Sequence, residues 1–184
     1  MPGMKVKYNP DIHHRKSIRI PEYDYGQPGY YFVTLNVQNR DCLFGEIKDS
    51  KIELTDIGEI IKYHWSKLPL YFKNIELDDY VIMPDLHGII RIVRAMHSNE
   101  NIVFDKKHIE NASPIQPTGT QPGSVAAIIQ NFKSVTARKI NHILKRSNHR
   151  LWQRNYWERV IRDEVELQKI RKYISENPLN WSEC

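Results

Sequence analysis

Two short stretches of the sequence carry side chains whose types and spacing could support chemistry. Tyr173 and Asn177 lie four residues apart in a helical pattern, which places both on one face of a helix. A tyrosine hydroxyl can act as a nucleophile that forms a covalent intermediate, and an asparagine amide oxygen can bind a metal. Asp85 and His87 are alternate residues at the start of a predicted strand, so both face the same side. A carboxylate beside an imidazole suits a divalent cation such as Mg²⁺ or Mn²⁺.

Each stretch also fits an ordinary structural role. An aspartate in a turn, a single hydrogen-bonded histidine and a tyrosine packed near a helix end are all common, so these residues alone leave both interpretations open.

The segment from Asn131 to Arg162 combines positive charge with aromatic side chains. It contains nine Lys or Arg residues against the single acid Glu158. Cations that contact phosphates, beside aromatic rings that stack on bases, are typical of single-stranded nucleic acid binding. We therefore predict contacts with nucleic-acid phosphates from Lys133, Arg138, Lys139, Arg150, Arg154 and Arg159, with Trp152, Tyr156 and Trp157 as residues that either stack on bases or pack in the core.

The composition of the whole chain agrees with an anionic partner. The 184 residues include 27 Lys and Arg against 22 Asp and Glu, a formal net charge of +5. Two cysteines exclude a disulfide scaffold and a four-cysteine zinc module. No apolar run is long enough to span a membrane, and the N-terminus lacks the apolar core of a signal peptide. These features predict a cytoplasmic protein with no membrane partner.

The elements that must position these residues follow from apolar periodicity and breaker residues. Residues 1–29 read as a basic N-terminal arm, and residues 30–184 as one domain with a flexible insertion at about 94–123, rich in Asn, Ser, Thr, Gln and Pro. The mixed order of elements predicts an α+β domain with helices on one face of an antiparallel sheet. The predicted elements are a strand at Tyr30–Gln38, a short strand or hairpin at Phe44–Leu54, a helix at Thr55–Lys67, strands at Ile75–Met83 and His87–Val93, and helices at Ser124–Lys145 and from Asp163 to Glu176.

Four stretches together resemble the REP-associated tyrosine transposases, a branch of the single-tyrosine HUH transposases. They are YFVTLNVQNRDCLFG (31–45), LDDYVIMPDLHGII (77–90), IIQNFKSVTARKIN (128–141) and LWQRNYWERVIRDEVELQKIRKYISENPLNW (151–181). The resemblance covers nearly the whole chain apart from the predicted insertion.

The resemblance implies a ferredoxin-like, RRM-like sheet that binds and cuts single-stranded DNA, often at hairpins in palindromic repeats. In such proteins two histidines of a His-hydrophobe-His motif bind a divalent metal, and a tyrosine on a late helix attacks the scissile phosphate. Carried onto this sequence, Tyr173 stands at the nucleophile, Asn177 at the polar metal ligand and His87 at the second histidine. The implied cofactor is Mg²⁺ or Mn²⁺.

The sequence departs from the family at the first histidine. The family reads M-P-[ND]-H-x-H-G, whereas this chain reads Met83-Pro84-Asp85-Leu86-His87-Gly88, one residue shorter. Either Asp85 takes the vacant ligand position, since it keeps the alternate spacing, or the site is degraded and the chain only binds DNA.

Three further alternatives follow from the sequence. A catalytically impaired, domesticated module that binds DNA hairpins is the first, and an RNA-binding protein with an RRM-like sheet is the second. Tyr156 is a rival nucleophile, although it lacks the helix partner that Asn177 provides for Tyr173. The sequence leaves open whether the protein is a monomer or a homodimer.

Overall fold

The computed structural model describes residues 23–40, 42–49, 51–83, 86–92, 120–147 and 149–180, with the backbone alone for residues 40, 86, 87 and 89–92. In chain order, the elements are β1 (Gly29–Leu35), β2 (Gly45–Lys48), β3 (Lys51–Leu54), α1 (Asp56–Ser66), α2 (Leu68–Tyr71), β4 (Ile75–Ile82), β5 (Leu86–Ile92), α3 (Val125–Ile143), β6 (Trp157–Ile161) and α4 (Glu164–Glu176). Single turns of 3-10 helix follow β1 at Gln38–Arg40 and α4 at Asn177–Leu179.

The central sheet is antiparallel, with the strand order β4-β5-β1-β6, and the β2-β3 hairpin forms a separate small sheet. β1 lies inside the sheet, and its aromatic and β-branched residues suit a strand with neighbours on both sides. Alternate residues of β1 face opposite sides, so this one strand contributes to two separate apolar clusters.

The larger cluster covers one face of the sheet. Tyr31, Val33 and Leu35 of β1 are buried there beneath α1 and α3. Trp65 of α1 and Phe132 of α3 are also buried, and their rings meet edge to face with centroids 5.3 Å apart. This layer of two helices on a sheet forms the main core.

The smaller cluster lies on the opposite face. Phe32 of β1 and Ile161 of β6 pack against Leu167 and Ile174, which are seven residues apart on α4 and therefore on one side of that helix. The second face of the sheet is thus covered by the last helix.

Side-chain caps start the three long helices where the sequence predicts them. The hydroxyls of Thr55 and Ser124 accept hydrogen bonds from the backbone N–H groups of Gly58 and Ala127, and Asp163 accepts one from Glu166. Such caps satisfy backbone donors that a helix leaves unpaired in its first turn.

The predicted α+β class with an antiparallel, RRM-like sheet is confirmed. The predicted placement of helices on one face holds for α1 and α3, whereas α4 packs on the other face because its apolar stripe meets Phe32 and Ile161. The sequence analysis missed β6, which pairs with β1 at the sheet edge.

Parts of the predicted domain organisation lie outside the described residues, namely most of the basic arm (1–22) and most of the insertion (93–119). The end of the arm is described: Tyr23 and Tyr25 pack against the main core, and the Tyr25 carbonyl accepts a hydrogen bond from the backbone N–H of Val125. None of the helices in the described parts of the chain has the length and apolar character needed to cross a membrane.

Candidate nucleic-acid interface and tyrosine site

Tyr173 lies on α4, over the sheet. Its side chain is 49% exposed, and its ring meets Phe32 of β1 edge to face, with centroids 6.0 Å apart. The neighbouring Ile174 is buried in the smaller cluster, which fixes the rotation of the helix. The tyrosine therefore lies at the border between the packed side of α4 and solvent.

Asn177 keeps the predicted relation to Tyr173. It is the C-cap of α4 and retains helical backbone angles (φ −56°, ψ −43°), so it follows Tyr173 by one turn on the same side. Asn177 is only 7% exposed. A polar amide thus lies buried next to the half-exposed tyrosine.

Two ion pairs fasten α4 to the two edge strands of the sheet. Near its start, Glu166 pairs with Arg159 of β6 at 2.5 Å. Further along, the guanidinium of Arg171 donates to both carboxylate oxygens of Asp78 on β4, over 2.9 Å from Nε and 2.6 Å from Nη2. Asp78 lies where the pairing of β4 with β5 is interrupted by a bulge. A bulge redirects a side chain locally. Here the redirected side chain is Asp78, whose carboxylate holds α4 through Arg171.

The Arg171 pair is partly withdrawn from water. The Asp78 side chain is 14% exposed, and the hydrogen bond to it raises the pKa of Arg171. Two parallel N–H···O bonds fix direction as well as distance, so this pair determines the position of α4 more strictly than a single contact does.

The register position of His87 belongs to the α4 face of the sheet. His87 pairs directly with Thr34 of β1 on one side and with Val81 of β4 on the other. Residues directly opposite in an antiparallel ladder belong to the same face. Because Val81 packs in the cluster of Phe32 and α4, the register position of His87 belongs to the face on which Tyr173 lies.

The following residue, Gly88, belongs to the opposite face. A Cβ atom at Gly88 would lie 2.6 Å from the Trp65 indole, which is fully buried. A side chain there would overpack the main core, so glycine lets Trp65 rest on β5. The His-Gly order therefore places one residue on each face of the same strand.

The six cations predicted to contact DNA are not brought into one patch. Arg159 of β6 pairs with Phe32, so it belongs to the α4 face, and its side chain is 57% exposed. Arg138 and Lys139 are exposed on α3, in the helix layer on the other side of the sheet. Arg150 and Arg154 are exposed in the segment that leads from α3 to β6.

Lys133, the sixth cation, is engaged inside the protein. Its ammonium donates to the backbone carbonyls of Gln153, Arg154 and Asn155 at 2.6, 3.3 and 3.4 Å. Burial, with the nearby Arg150 guanidinium, lowers the pKa of Lys133 to about 8, which leaves the ammonium protonated at neutral pH. Three carbonyl acceptors occupy the three protons of the ammonium, so Lys133 holds the segment before β6 in place. This engagement speaks against the DNA contact predicted for Lys133.

Replacing Lys133 with Met is expected to destabilise the protein by about 1–2 kcal/mol, because the carbonyl oxygens lose their donor. Urea unfolding measures this loss. The matched control is Lys139→Met, which removes an exposed lysine of the same helix and should leave stability within about 0.5 kcal/mol of wild type. The structural role of Lys133 would be contradicted if its replacement left stability unchanged and lowered the affinity for single-stranded DNA more than Lys139→Met does.

Two of the aromatic residues that the sequence leaves open between stacking and packing lie against the main core. Trp152 is 3% exposed, lies between Phe44 and Phe132, and donates from its indole N–H to the hydroxyl of Thr136 at 2.9 Å. A ring enclosed in this way has no open face for a base, so of the two alternatives that the sequence leaves open for Trp152, the structure favours packing.

Tyr156 is likewise tied to the main core. Its hydroxyl donates to the buried carboxylate of Glu158 at 2.5 Å, and its ring packs against the cluster beneath α1 and α3. Glu158 pairs with Val33, on the face opposite α4. Tyr156 therefore points away from the site of Tyr173, which speaks against it both as a stacking residue and as the rival nucleophile.

These features define a class of protein. It is a small α+β domain in which the last helix packs on one face of an antiparallel sheet and carries a half-exposed tyrosine. A sequence profile of the family described as IS200-like transposases matches residues 117–177. An uncharacterized protein of Haemophilus influenzae is 38% identical over 184 residues, which cover 98% of this chain and 97% of that protein. The profile match assigns residues 117–177 to the IS200-like transposase family, which confirms the family resemblance of the sequence.

A solved structure shares the fold. It is the structure of a REP-associated tyrosine transposase bound to a REP hairpin, and it matches with a TM-score of 0.52 at 18% sequence identity. The match covers 84% of this chain and 70% of that chain. At this identity the likeness concerns the fold alone.

The residues present fit a divalent cation by their chemistry. Transposases of this family are generally metal-dependent. A carboxylate, an imidazole and an amide oxygen, from Asp85, His87 and Asn177, are donors that Mg²⁺ and Mn²⁺ accept. Asp85 lies outside the described residues, and within the described parts of the chain no group of three or more His, Cys, Asp or Glu could hold a metal. The ligand set therefore stays a prediction.

Proposed function

We propose that this protein binds single-stranded or hairpin DNA and cleaves and rejoins it through a covalent link to Tyr173. One observation carries the proposal. The half-exposed Tyr173 lies on the same face of the sheet as the register position of His87, with the buried Asn177 one turn further along α4. A nucleophile, a candidate imidazole ligand and a candidate amide ligand are thus assigned to one face.

The proposed reaction needs one bond exchange at phosphorus. The Tyr173 oxygen forms a bond to the scissile phosphate and loses its proton, the bond from phosphorus to the 3′ oxygen breaks, and that oxygen leaves as a 3′-hydroxyl after taking up a proton. The strand then carries a 5′-phosphotyrosine link. The same exchange in reverse, with another 3′-hydroxyl, rejoins DNA. A divalent cation held by Asp85, His87 and Asn177 would supply charge neutralisation at the phosphate.

A hairpin is the preferred DNA partner for two reasons. The solved relative with the same fold was bound to a REP hairpin. In this chain, exposed cations lie on α3, on the segment before β6 and on β6 itself, so positive charge extends from one helix layer around the sheet edge to the α4 face. A folded DNA element with a single-stranded flank can follow such a path.

The proposal is tested by mixing the protein with labelled palindromic hairpins that carry unpaired flanks, in the presence of Mg²⁺ or Mn²⁺. A labelled band at the mass of a protein–DNA adduct on a denaturing gel is the expected result. Binding to every hairpin without an adduct under either metal would contradict the cleavage proposal.

A second candidate function is non-catalytic hairpin binding, favoured by the absence of the first histidine in Met83-Pro84-Asp85-Leu86-His87-Gly88. It predicts tight hairpin binding that is insensitive to Tyr173→Phe and to chelation of the metal. The adduct assay separates the two functions, because both bind and one alone links covalently.

The ion pair between Arg171 and Asp78 yields a prediction about positioning. Arg171→Ala is expected to lower the rate of adduct formation about ten- to hundredfold, because a small displacement of a reacting group is costly, while DNA affinity stays within about twofold. The double variant Asp78→Arg with Arg171→Asp should recover part of the rate. Single-turnover cleavage and equilibrium binding measure the two quantities separately.

The control for this prediction is Lys172→Ala. Lys172 is 72% exposed and pairs with the half-exposed Glu176 at 3.7 Å, so its loss should change neither quantity by more than about twofold. Equal losses of rate and affinity in Arg171→Ala, or no loss, would contradict a positioning role.

A further inference from the structure

Trp157 is the exposed member of the aromatic group formed by residues 152, 156 and 157. It begins β6 and is 37% exposed, whereas Trp152 is buried and Tyr156 is bonded to Glu158. Its ring system meets the Phe32 ring at a steep angle, with centroids 5.4 Å apart at 73°. The indole is thus held by one neighbour and still open to solvent.

The register places Trp157 in the same cross-strand row as His87. Trp157 pairs with Thr34, and Thr34 pairs with His87 on its other side. Strands are about 4.8 Å apart, so the backbones of Trp157 and His87 are separated by about 10 Å across one face of the sheet. Phe32 contacts both Trp157 and Tyr173. The indole therefore flanks the site where the proposed chemistry occurs.

A cation lies next to this ring. Arg159 is two residues further along β6, on the same face, and its exposed guanidinium is held by Glu166 of α4. An exposed flat ring beside an exposed cation is the arrangement that binds single strands, with the base on the ring and the phosphate at the cation.

We propose that Trp157 is the platform on which an unpaired DNA base stacks, next to the phosphate that Tyr173 attacks, with Arg159 on the adjoining phosphate. This assignment rests on the proposed function for the position of the scissile phosphate. The single strand would then run along the α4 face of the sheet. The unpaired flank would be recognised by residues of the edge strand β6.

Abasic scanning of the flank tests the assignment by binding alone. The full chain carrying Tyr173→Phe, which we expect to bind without cleaving, is titrated with hairpins in which each unpaired position in turn lacks its base. Base removal at one position should weaken binding about tenfold. In Tyr173→Phe with Trp157→Leu, which keeps apolar contact with Phe32 but has no flat ring, removal at that position should cost less than about twofold.

Two matched variants complete the test. Trp157→Phe retains a ring and should keep most of the dependence on the base. Tyr71→Ala removes an aromatic residue of α2 that is 71% exposed in the layer on the other side of the sheet. This variant should retain the full dependence of binding on the base. Thermal unfolding of each variant confirms that the fold is retained.

The outcomes separate this inference from the proposed function. A base dependence that is the same with and without the Trp157 indole at every position would overturn the stacking assignment, even where wild type forms an adduct. Loss of the dependence in Trp157→Leu supports the assignment, even where wild type forms no adduct and the cleavage proposal fails.

Discussion

Tyr173→Phe is expected to abolish the covalent protein–DNA adduct, with a loss of at least about a thousandfold, while leaving hairpin affinity and thermal stability close to wild type. The substitution removes one oxygen atom and retains the ring that meets Phe32. Without the hydroxyl, no bond to phosphorus can form. Denaturing gel electrophoresis of labelled hairpins measures the adduct, and fluorescence anisotropy measures binding.

Tyr156→Phe provides the control within the same chain. It removes the hydroxyl that donates to the buried Glu158 and should therefore lower stability by about 1 kcal/mol without affecting adduct formation per folded molecule. The opposite pattern, in which Tyr156→Phe loses the adduct and Tyr173→Phe keeps it, would assign the nucleophile to the other face of the sheet.

His87→Ala is the second substitution with a large expected effect. If His87 binds the cation as proposed, its loss should lower adduct formation at least about hundredfold. Substitution of a residue that only hydrogen-bonds to a metal ligand already lowers metal affinity or activity by about ten- to hundredfold. Chelation of divalent metal in wild type should produce the same loss. Hairpin affinity should change little in either case, because the exposed cations remain.

His142→Ala is the matched control, because His142 is exposed on α3 in the layer on the other side of the sheet. Asp85→Ala then separates the two interpretations of the shortened motif. A loss similar to that of His87→Ala is expected if Asp85 replaces the missing histidine as a ligand. Wild-type rates in both His87→Ala and Asp85→Ala would contradict the proposed ligand set.

The sequence predicted most of the fold because its signals are local. Caps at Thr55, Ser124 and Asp163 mark helix starts within a few residues, and apolar periodicity marks the helices that follow. β6 was missed because its residues that face the main core are Glu158 and Val160, so a buried carboxylate interrupts the apolar alternation. Glu158 is tolerated there because the Tyr156 hydroxyl donates to it, a contact that no periodicity indicates.

The candidate site was predictable in part. The spacing of Tyr173 and Asn177 on one helix is a local property, and the structure retains it. Which face of the sheet that helix covers depends on how distant strands pair, and local spacing does not contain that information. For the same reason, composition could not separate the buried Trp152 from the exposed Trp157, or the engaged Lys133 from the exposed Arg159.

The most direct test of the account is to identify the residue that carries the DNA. Wild-type protein is incubated with a hairpin and Mn²⁺, the adduct is digested with nuclease and protease, and the nucleotide-modified peptide is sequenced by mass spectrometry. We expect a 5′-phosphate link on the tyrosine of the peptide that contains Tyr173. A modification on any other residue would contradict it, and so would a bound hairpin that yields no modified peptide.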